Sequence, residues 1–289
     1  MVLEVERTAV GLERALTVFL AGAECPFTCS FCDLWRHTLD GPTPAGALPR
    51  QLARALASID RPAPFPERLK LYNASNFFDR RAVPQEDLPR LAALATPFRS
   101  ITVESHAGMV GLLTIEFSAM LQGRLEVAIG LETIHPAAAA ALNKRLDLPL
   151  FDRAAEFLRS HDIDLRVFVL LGVPHIAPAE TIDWTVRSVE YAAARGAQRV
   201  SIIPVRGGNG EMERLQSRGE FVPPTLAQLE RALDQCSSIN SCVVTADLWD
   251  VDRLVACEAC REQRLSRLRI MNISPNPQSL IPNPCPQCE

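Results

Sequence analysis

Short β-rich runs alternate with helical patterns along most of this chain. That alternation restricts its fold more than any other feature, because parallel strands need a crossover, usually a helix, between them. The apolar runs fall at 16–21, 69–73, 100–104, 125–132, 165–172 and 200–205. Helical patterns lie between them at 48–59, 88–94, 151–160 and 180–194, and another follows at 225–235, with a further strand at 241–245. Beyond about 251 the alternation gives way to a segment punctuated by Pro275, Pro277, Pro282, Pro284 and Pro286. The expected fold is α/β: a partial (β/α)6, TIM-like barrel over residues 1–250, followed by a small cysteine-rich tail over 251–289. Barrels of this kind place their chemistry at the C-terminal ends of the strands.

Cys25, Cys29 and Cys32 stand just past the first run in the order C-x3-C-x2-C. A tight loop bearing three thiolates can hold three corners of a cubane [4Fe-4S] cluster and leave the fourth iron open, and only His37 follows closely as a further ligand. A structural zinc knuckle, by contrast, needs four ligands in a closed site. In the tail, Cys257 and Cys260, then Cys285 and Cys288, form two C-x2-C pairs, the spacing of a four-thiolate metal site. Zinc is the first choice there and a second, fully ligated iron–sulfur cluster the alternative. Seven of the nine cysteines thus have metal-ligand spacing, which argues against a disulfide framework. Cys236 and Cys242 read as small buried hydrophobes.

The 289 residues, 47% of them hydrophobic, can bury a substantial core, but no window reaches the ~18 apolar residues of a membrane span. With no signal-peptide pattern at the N-terminus, the expected location is the cytoplasm. A formal charge of -4 does not favour RNA as a partner, although a local basic face stays open. Arg261, Arg264, Arg267 and Arg269 read as one helix face, solvated rather than phosphate-bound.

The cysteine loop resembles that of the radical S-adenosylmethionine (SAM) superfamily. In the second strand's turn, Asn73-Ala74-Ser75-Asn76-Phe77-Phe78-Asp79 stands where that superfamily often has a Gly-Gly-Glu-like turn. The variant run is similar to the branch containing elongator-type catalytic subunits and archaeosine-forming enzymes. The resemblance implies a cluster on Cys25, Cys29 and Cys32, with SAM chelating the open iron. It places Phe31, Asn73, Ala74, Ser75 and Asn76 beside the cofactor. Glu132, at the end of the fourth strand, becomes the residue that receives SAM's ribose or ammonium, and the glycine turn at Gly172 a seat for adenine, with an ordinary buried strand as the alternative there. Arg206, ahead of the 207–210 glycine loop, becomes a partner for a carboxylate. Glu104 and His106 are the candidates for binding substrate or moving a proton, with a backbone-satisfied His106 as the alternative.

The implied activity is reductive cleavage of SAM to a 5′-deoxyadenosyl radical that abstracts hydrogen from a nucleobase, nucleoside or small metabolite. A one-electron reductant such as flavodoxin or ferredoxin would supply the electron. Transfer of a 3-amino-3-carboxypropyl group is a variant of the same chemistry. A noncatalytic metal-binding interaction protein is the competing class.

Overall fold

The computed structural model describes residues 1–59, 64–254, 256–274 and 285. Eight strands form one sheet in chain order: β1 (Val2–Thr8), β2 (Gly11–Phe19), β3 (Arg68–Tyr72), β4 (Ser100–Glu104), β5 (Arg124–Glu132), β6 (Asp164–Leu171), β7 (Arg199–Pro204) and β8 (Val243–Ala246). All neighbouring pairs are parallel except β1 with β2, an antiparallel hairpin. The sheet curls into a nearly closed, TIM-like barrel.

The helices are α1 (Ala47–Ala57), α2 (Leu88–Ala95), α3 (Leu112–Met120), α4 (Pro136–Ala141), α5 (Leu148–Ser160), α6 (Thr181–Ala194), α7 (Glu211–Ser217), α8 (Leu226–Cys236) and α9 (Arg261–Ile273). Their apolar stripes cover the outer face of the sheet. Leu69, Leu71, Ile101, Val103, Val127, Ile129, Val167, Val169, Val200 and Ile202 lie fully buried there. Local signals fix the helix starts. Asp147 accepts from the Leu150 N–H at 2.8 Å at the head of α5, and Thr225 with Gln228 forms a capping box on α8. No helix among the described residues is long and apolar enough to cross a membrane.

The six expected strands are β2 to β7, and the further strand is β8. The sequence gives no warning of β1, α3, α4 or α7. In β1 the polarity is inverted, since Leu3 and Val5 face solvent while Glu4 and Glu6 reach inward. α3 buries only Thr114 and Phe117, so it has no apolar stripe to read, and α4 is a proline followed by alanines.

The lumen is ionic at its N-terminal end. Glu126 accepts from Arg68 at 3.2 Å and Arg166 at 3.0 Å, and pairs with Arg199 at 2.9 Å. Glu6 accepts from Lys70 at 2.8 Å and from both terminal nitrogens of Arg166 at 3.0 and 2.8 Å. Burial would raise the Glu126 carboxyl, but Arg166, Arg68 and Arg199 hold it down to about 2. Burial likewise opposes ionisation of Glu6, and Arg166 and Lys70 keep it well below the usual carboxylate range.

β1 and β8 are the ends of the sheet, and α9 spans between them. Arg7 donates to the carbonyls of Val244 and Ser274, both at 2.8 Å, and Asn272 exchanges two hydrogen bonds with the Ala246 main chain. Leu265, Leu268 and Met271 of α9 join the main core, so the stretch after 250 contributes a helix to the barrel itself.

Candidate active site

The cysteine loop leaves β2 at the C-terminal end of the barrel and is fastened from two sides. Asn143 donates to the carbonyl and hydroxyl of Thr28, at 3.0 and 2.7 Å, and the Ser30 N–H donates to Leu142 O at 3.0 Å. From the glycine loop after β7, Asn209 donates to Ser30 O at 2.8 Å, and Arg36 donates to Gly208 O at 2.6 Å. Phe31 packs against the apolar cluster of Leu142, Leu170, Val173, Val205 and Met212, which makes its ring an anchor for the loop. His37 is exposed and ends a short 3-10 turn.

The 73–79 run is strapped onto the tip of β4. Asn76 joins that tip to the cysteines: its amide NH2 donates to Cys25 Sγ at 3.2 Å while its oxygen accepts from the His106 N–H at 2.6 Å. The Phe77 N–H donates to Glu104 O at 2.8 Å. Ala74 holds φ 52°, and Asn73 and Ser75 bury side-chain polar atoms that have no hydrogen-bond partner among the described residues. His106 Nδ1 accepts from the Gly108 N–H at 3.0 Å, its Nε2 faces Lys144 O at 3.1 Å, and its ring stacks on Phe27 at 3.9 Å. Both ring nitrogens thus face main chain, and burial pushes the ring's pKa down to about 4, so it is neutral near pH 7.

Glu132 ends β5 beside a register shift, with φ 66°, and its carboxylate pairs with Lys144 from the loop between α4 and α5. A Cβ at Gly130 would collide with both charged groups, which explains the glycine. Asn143 and Arg145, flanking Lys144, also have left-handed backbones, at φ 53° and 59°. Left-handed non-glycine residues therefore gather around the cysteine loop, a pattern that goes with constrained functional geometry. Burial raises all three loop thiols, Cys29 to about 12, and the Lys144 charge opposes that rise at each. Lys144 itself is held protonated: burial works against its charge, but Glu132 together with the Cys29 and Cys32 sulfurs more than offsets this. The sequence reading missed Lys144, because nothing in its local pattern separates it from a surface lysine.

Of the remaining residues, Glu104 ends β4 on the lumen side and makes no side-chain hydrogen bond among the described residues. Burial raises its carboxyl to about 7, against the pull of Lys70 and Lys144. Arg206 donates to Asp247 at 3.0 Å and to Trp249 O, so its charge is already paired. Gly172 holds φ +80°, and a Cβ there would lie 2.8 Å from Pro224 Cδ, so its close neighbour is protein. Its N–H donates to Thr181 Oγ1 at 3.0 Å.

In the tail, the Sγ atoms of Cys257, Cys260 and Cys285 all lie within 4.8 Å of one another, while Cys288 lies outside the described residues. Among the described residues, Cys25, Cys29 and Cys32 form no such close set. The arginines of α9 are paired: Arg264 with Glu230 at 2.6 Å, Arg267 with Asp234 at 2.7 Å, Arg261 with Glu258 at 3.0 Å and Arg269 with Glu262 at 3.1 Å.

No family model matches the chain. It is 22% identical over 288 residues to archaeosine synthase subunit beta of Methanosarcina acetivorans, covering 94% of this chain and 82% of that protein. An uncharacterized protein of Methanocaldococcus jannaschii is 22% identical over 178 residues, 60% of this chain but only 49% of the relative's length. Among solved structures, the archaeal Methanocaldococcus infernus Elp3 with an N-terminal deletion superposes with a TM-score of 0.56 at 14% identity, covering 80% of this chain and 56% of that one. A radical SAM methyltransferase from Sphaerobacter thermophilus gives 0.55 at 17% identity, covering 85% and 69%. Methylornithine synthase gives 0.54 at 13%, covering 94% and 85%. The chain thus has remote sequence and structural matches to several radical SAM superfamily enzymes and shares their partial, TIM-like barrel, to which it adds its own cluster of Cys257, Cys260 and Cys285.

Proposed function

We propose that this protein is a radical SAM enzyme whose [4Fe-4S] cluster is held by Cys25, Cys29 and Cys32. The observation that carries this reading is a single three-thiol loop, fastened over the mouth of the barrel, with a buried cation and a buried carboxylate beside it. The residues fit the group: the thiols are partly buried, Asn76 donates to one sulfur, and Lys144 favours the thiolate form of all three. When bound, the cluster and SAM supply reductive cleavage of SAM to a 5′-deoxyadenosyl radical for hydrogen abstraction. Glu132 and Lys144 would take SAM's polar groups, His106 holds the loop against β4 as a positioning residue, and the ionic floor closes the lumen from below. Glu104 faces the substrate side of the lumen as a carboxyl able to hold or release a proton near neutral pH.

The tail is read as a zinc site. Zinc–sulfur bonds of about 2.3 Å put tetrahedral sulfurs about 3.8 Å apart, which fits thiols gathered within 4.8 Å better than the wider span of a four-iron cluster. Cys288 would supply the fourth thiolate.

Anaerobic reconstitution with iron and sulfide, then dithionite and SAM, tests the main reading. Wild-type protein should form 5′-deoxyadenosine and Cys29→Ala should not. An aminocarboxypropyl product would move the reading to the other SAM C–S bond, and cleavage by Cys29→Ala at the wild-type rate would end it.

A further inference from the structure

Tyr72 and Glu104 stand side by side in the lumen, next to the cysteine loop. Tyr72 is the last residue of β3 and Glu104 of β4. Leu71 pairs with Val103 across those strands, so the next residues along, Tyr72 and Glu104, are opposite one another. Their direction follows from the register. Lys70 reaches Glu4 and Glu6 inside the barrel, Thr102 reaches Glu126 there, and side chains two residues further along lie on the same face. Tyr72 runs straight into the 73–79 segment, whose Asn76 donates to Cys25 Sγ, and its carbonyl accepts from the Leu20 N–H at 2.7 Å. The tip of β3 is thereby fixed beside the loop that carries the thiols.

The surroundings of the Tyr72 phenol oppose charge and permit a neutral change. Its hydroxyl and the Glu104 carboxyl have no hydrogen-bond partner among the described residues. Burial pushes the phenol well above the ordinary tyrosine range, with Arg166 opposing the rise while Glu104, Glu6 and Glu126 add to it. A phenolate does not form there near neutral pH, so Tyr72 is not an acid or base. Lys70 Nζ lies 5.6 Å from the ring centroid, and a cation beside the ring disfavours loss of an electron alone, which would leave a second positive charge. Loss of a hydrogen atom avoids both penalties, because phenol and phenoxyl radical are equally uncharged. Other weak X–H bonds lie elsewhere. Tyr191, the only other tyrosine, sits on α6 and donates to Asp152 at 2.8 Å, and Cys236 and Cys242 line a cavity with Arg7 and Gly11 at the far end of the barrel.

Resting on the radical SAM reading, we propose that Tyr72 is a hydrogen-atom donor to carbon radicals formed in the lumen and that Glu104 returns its proton. The phenolic O–H bond breaks as a C–H bond forms, the carbon radical is reduced, and Tyr72 is left as a neutral phenoxyl. One electron from the one-electron donor that serves the cluster, with one proton from Glu104, restores the phenol, and Glu104 regains its proton from solvent. With its carboxyl raised to about 7, Glu104 holds that proton in a large share of molecules near neutral pH. The transfer is downhill, because a phenolic O–H bond is weaker than the methyl C–H bond of 5′-deoxyadenosine. Tyr72 thus ends a radical that meets no substrate before it can attack the barrel.

The test runs SAM cleavage by the reconstituted protein in deuterium oxide, with dithionite as reductant and no added substrate. Wild type should release 5′-deoxyadenosine carrying one solvent deuterium, and samples frozen during turnover should show a tyrosyl radical by electron paramagnetic resonance. Tyr72→Phe should lose both the label and the signal, and Tyr191→Phe should lose neither. Glu104→Gln should lengthen the lifetime of the signal. Tyr72→Phe keeps the ring and its edge-on contact with Phe19 at 6.4 Å, so its thermal midpoint and iron content should match wild type. Unlabelled product from wild type, or a label and signal that persist in Tyr72→Phe, would overturn the assignment while leaving the radical SAM reading intact, since cleavage has occurred. An unchanged lifetime in Glu104→Gln would remove Glu104 from the step. Absence of 5′-deoxyadenosine from wild type would overturn both readings together.

Discussion

Glu132 and Lys144, twelve residues apart in sequence, form a buried ion pair across the mouth of the barrel, directly above Gly130 and beside the cysteine loop. Their side chains are only 6% and 14% exposed, so each charge depends on the other. Glu132 also holds φ 66°, a conformation that the surrounding packing must enforce.

Removing one partner strands the other. Glu132→Gln or Lys144→Met alone should cost about 3–5 kcal/mol of stability, and the double variant should recover part of that loss. Chemical denaturation of all four proteins in a double-mutant cycle measures the coupling. If the single variants unfold at the wild-type midpoint, the pair is not buried as described.

Under the proposed function the same pair would bind SAM. Glu132→Gln should weaken SAM binding to the reconstituted protein by about ten- to a hundredfold, equivalent to roughly 1.5–3 kcal/mol, while iron content stays unchanged. Equilibrium binding beside the thermal midpoint separates a ligand contact from a purely structural one. Unchanged affinity with lowered stability would assign Glu132 to the barrel rim alone.

The lumen floor depends on Glu126, which faces Arg68, Arg166 and Arg199 at once. Glu126→Gln leaves three buried cations short of an anion and should destabilise the fold by about 3–5 kcal/mol. Full wild-type stability in urea would show that the network is not holding the barrel together.

Opposite pKa shifts shape the pH profile. The Glu126 carboxyl ionises at about 2 in the fold against an ordinary 4.5, so the stability it contributes is present above pH 4.5 and lost as pH falls towards 2. Glu104 is shifted the other way, to about 7. The preference for its neutral form is fully present below pH 4.5 and is lost as pH rises through 7. Thermal midpoints of Glu104→Gln should therefore fall less than those of wild type between pH 5 and 8. Parallel slopes would place Glu104 in a better-solvated position.

For the tail, elemental analysis of the Cys25/Cys29/Cys32 triple alanine variant should find about one zinc per chain. Residual iron with sulfide would instead make the tail an auxiliary cluster.

What the chain determines locally is the order of its elements and the spacing of its thiols. The alternating runs mark β2 to β7 and most of the helices near their observed positions, and C-x3-C-x2-C by itself specifies a three-thiol loop. Tertiary structure decided the rest, because the deciding contacts join residues far apart in sequence. Glu6 meets Arg166 across 160 positions and Thr28 meets Asn143 across 115, and no local pattern encodes either pair. The β1 strand escaped notice because its glutamates point into an ionic lumen while its leucine and valine face water, the reverse of the alternation that marks a half-buried strand. Lys144 looks like any surface lysine until the fold sets it between Glu132 and the cysteines, where burial makes its charge matter.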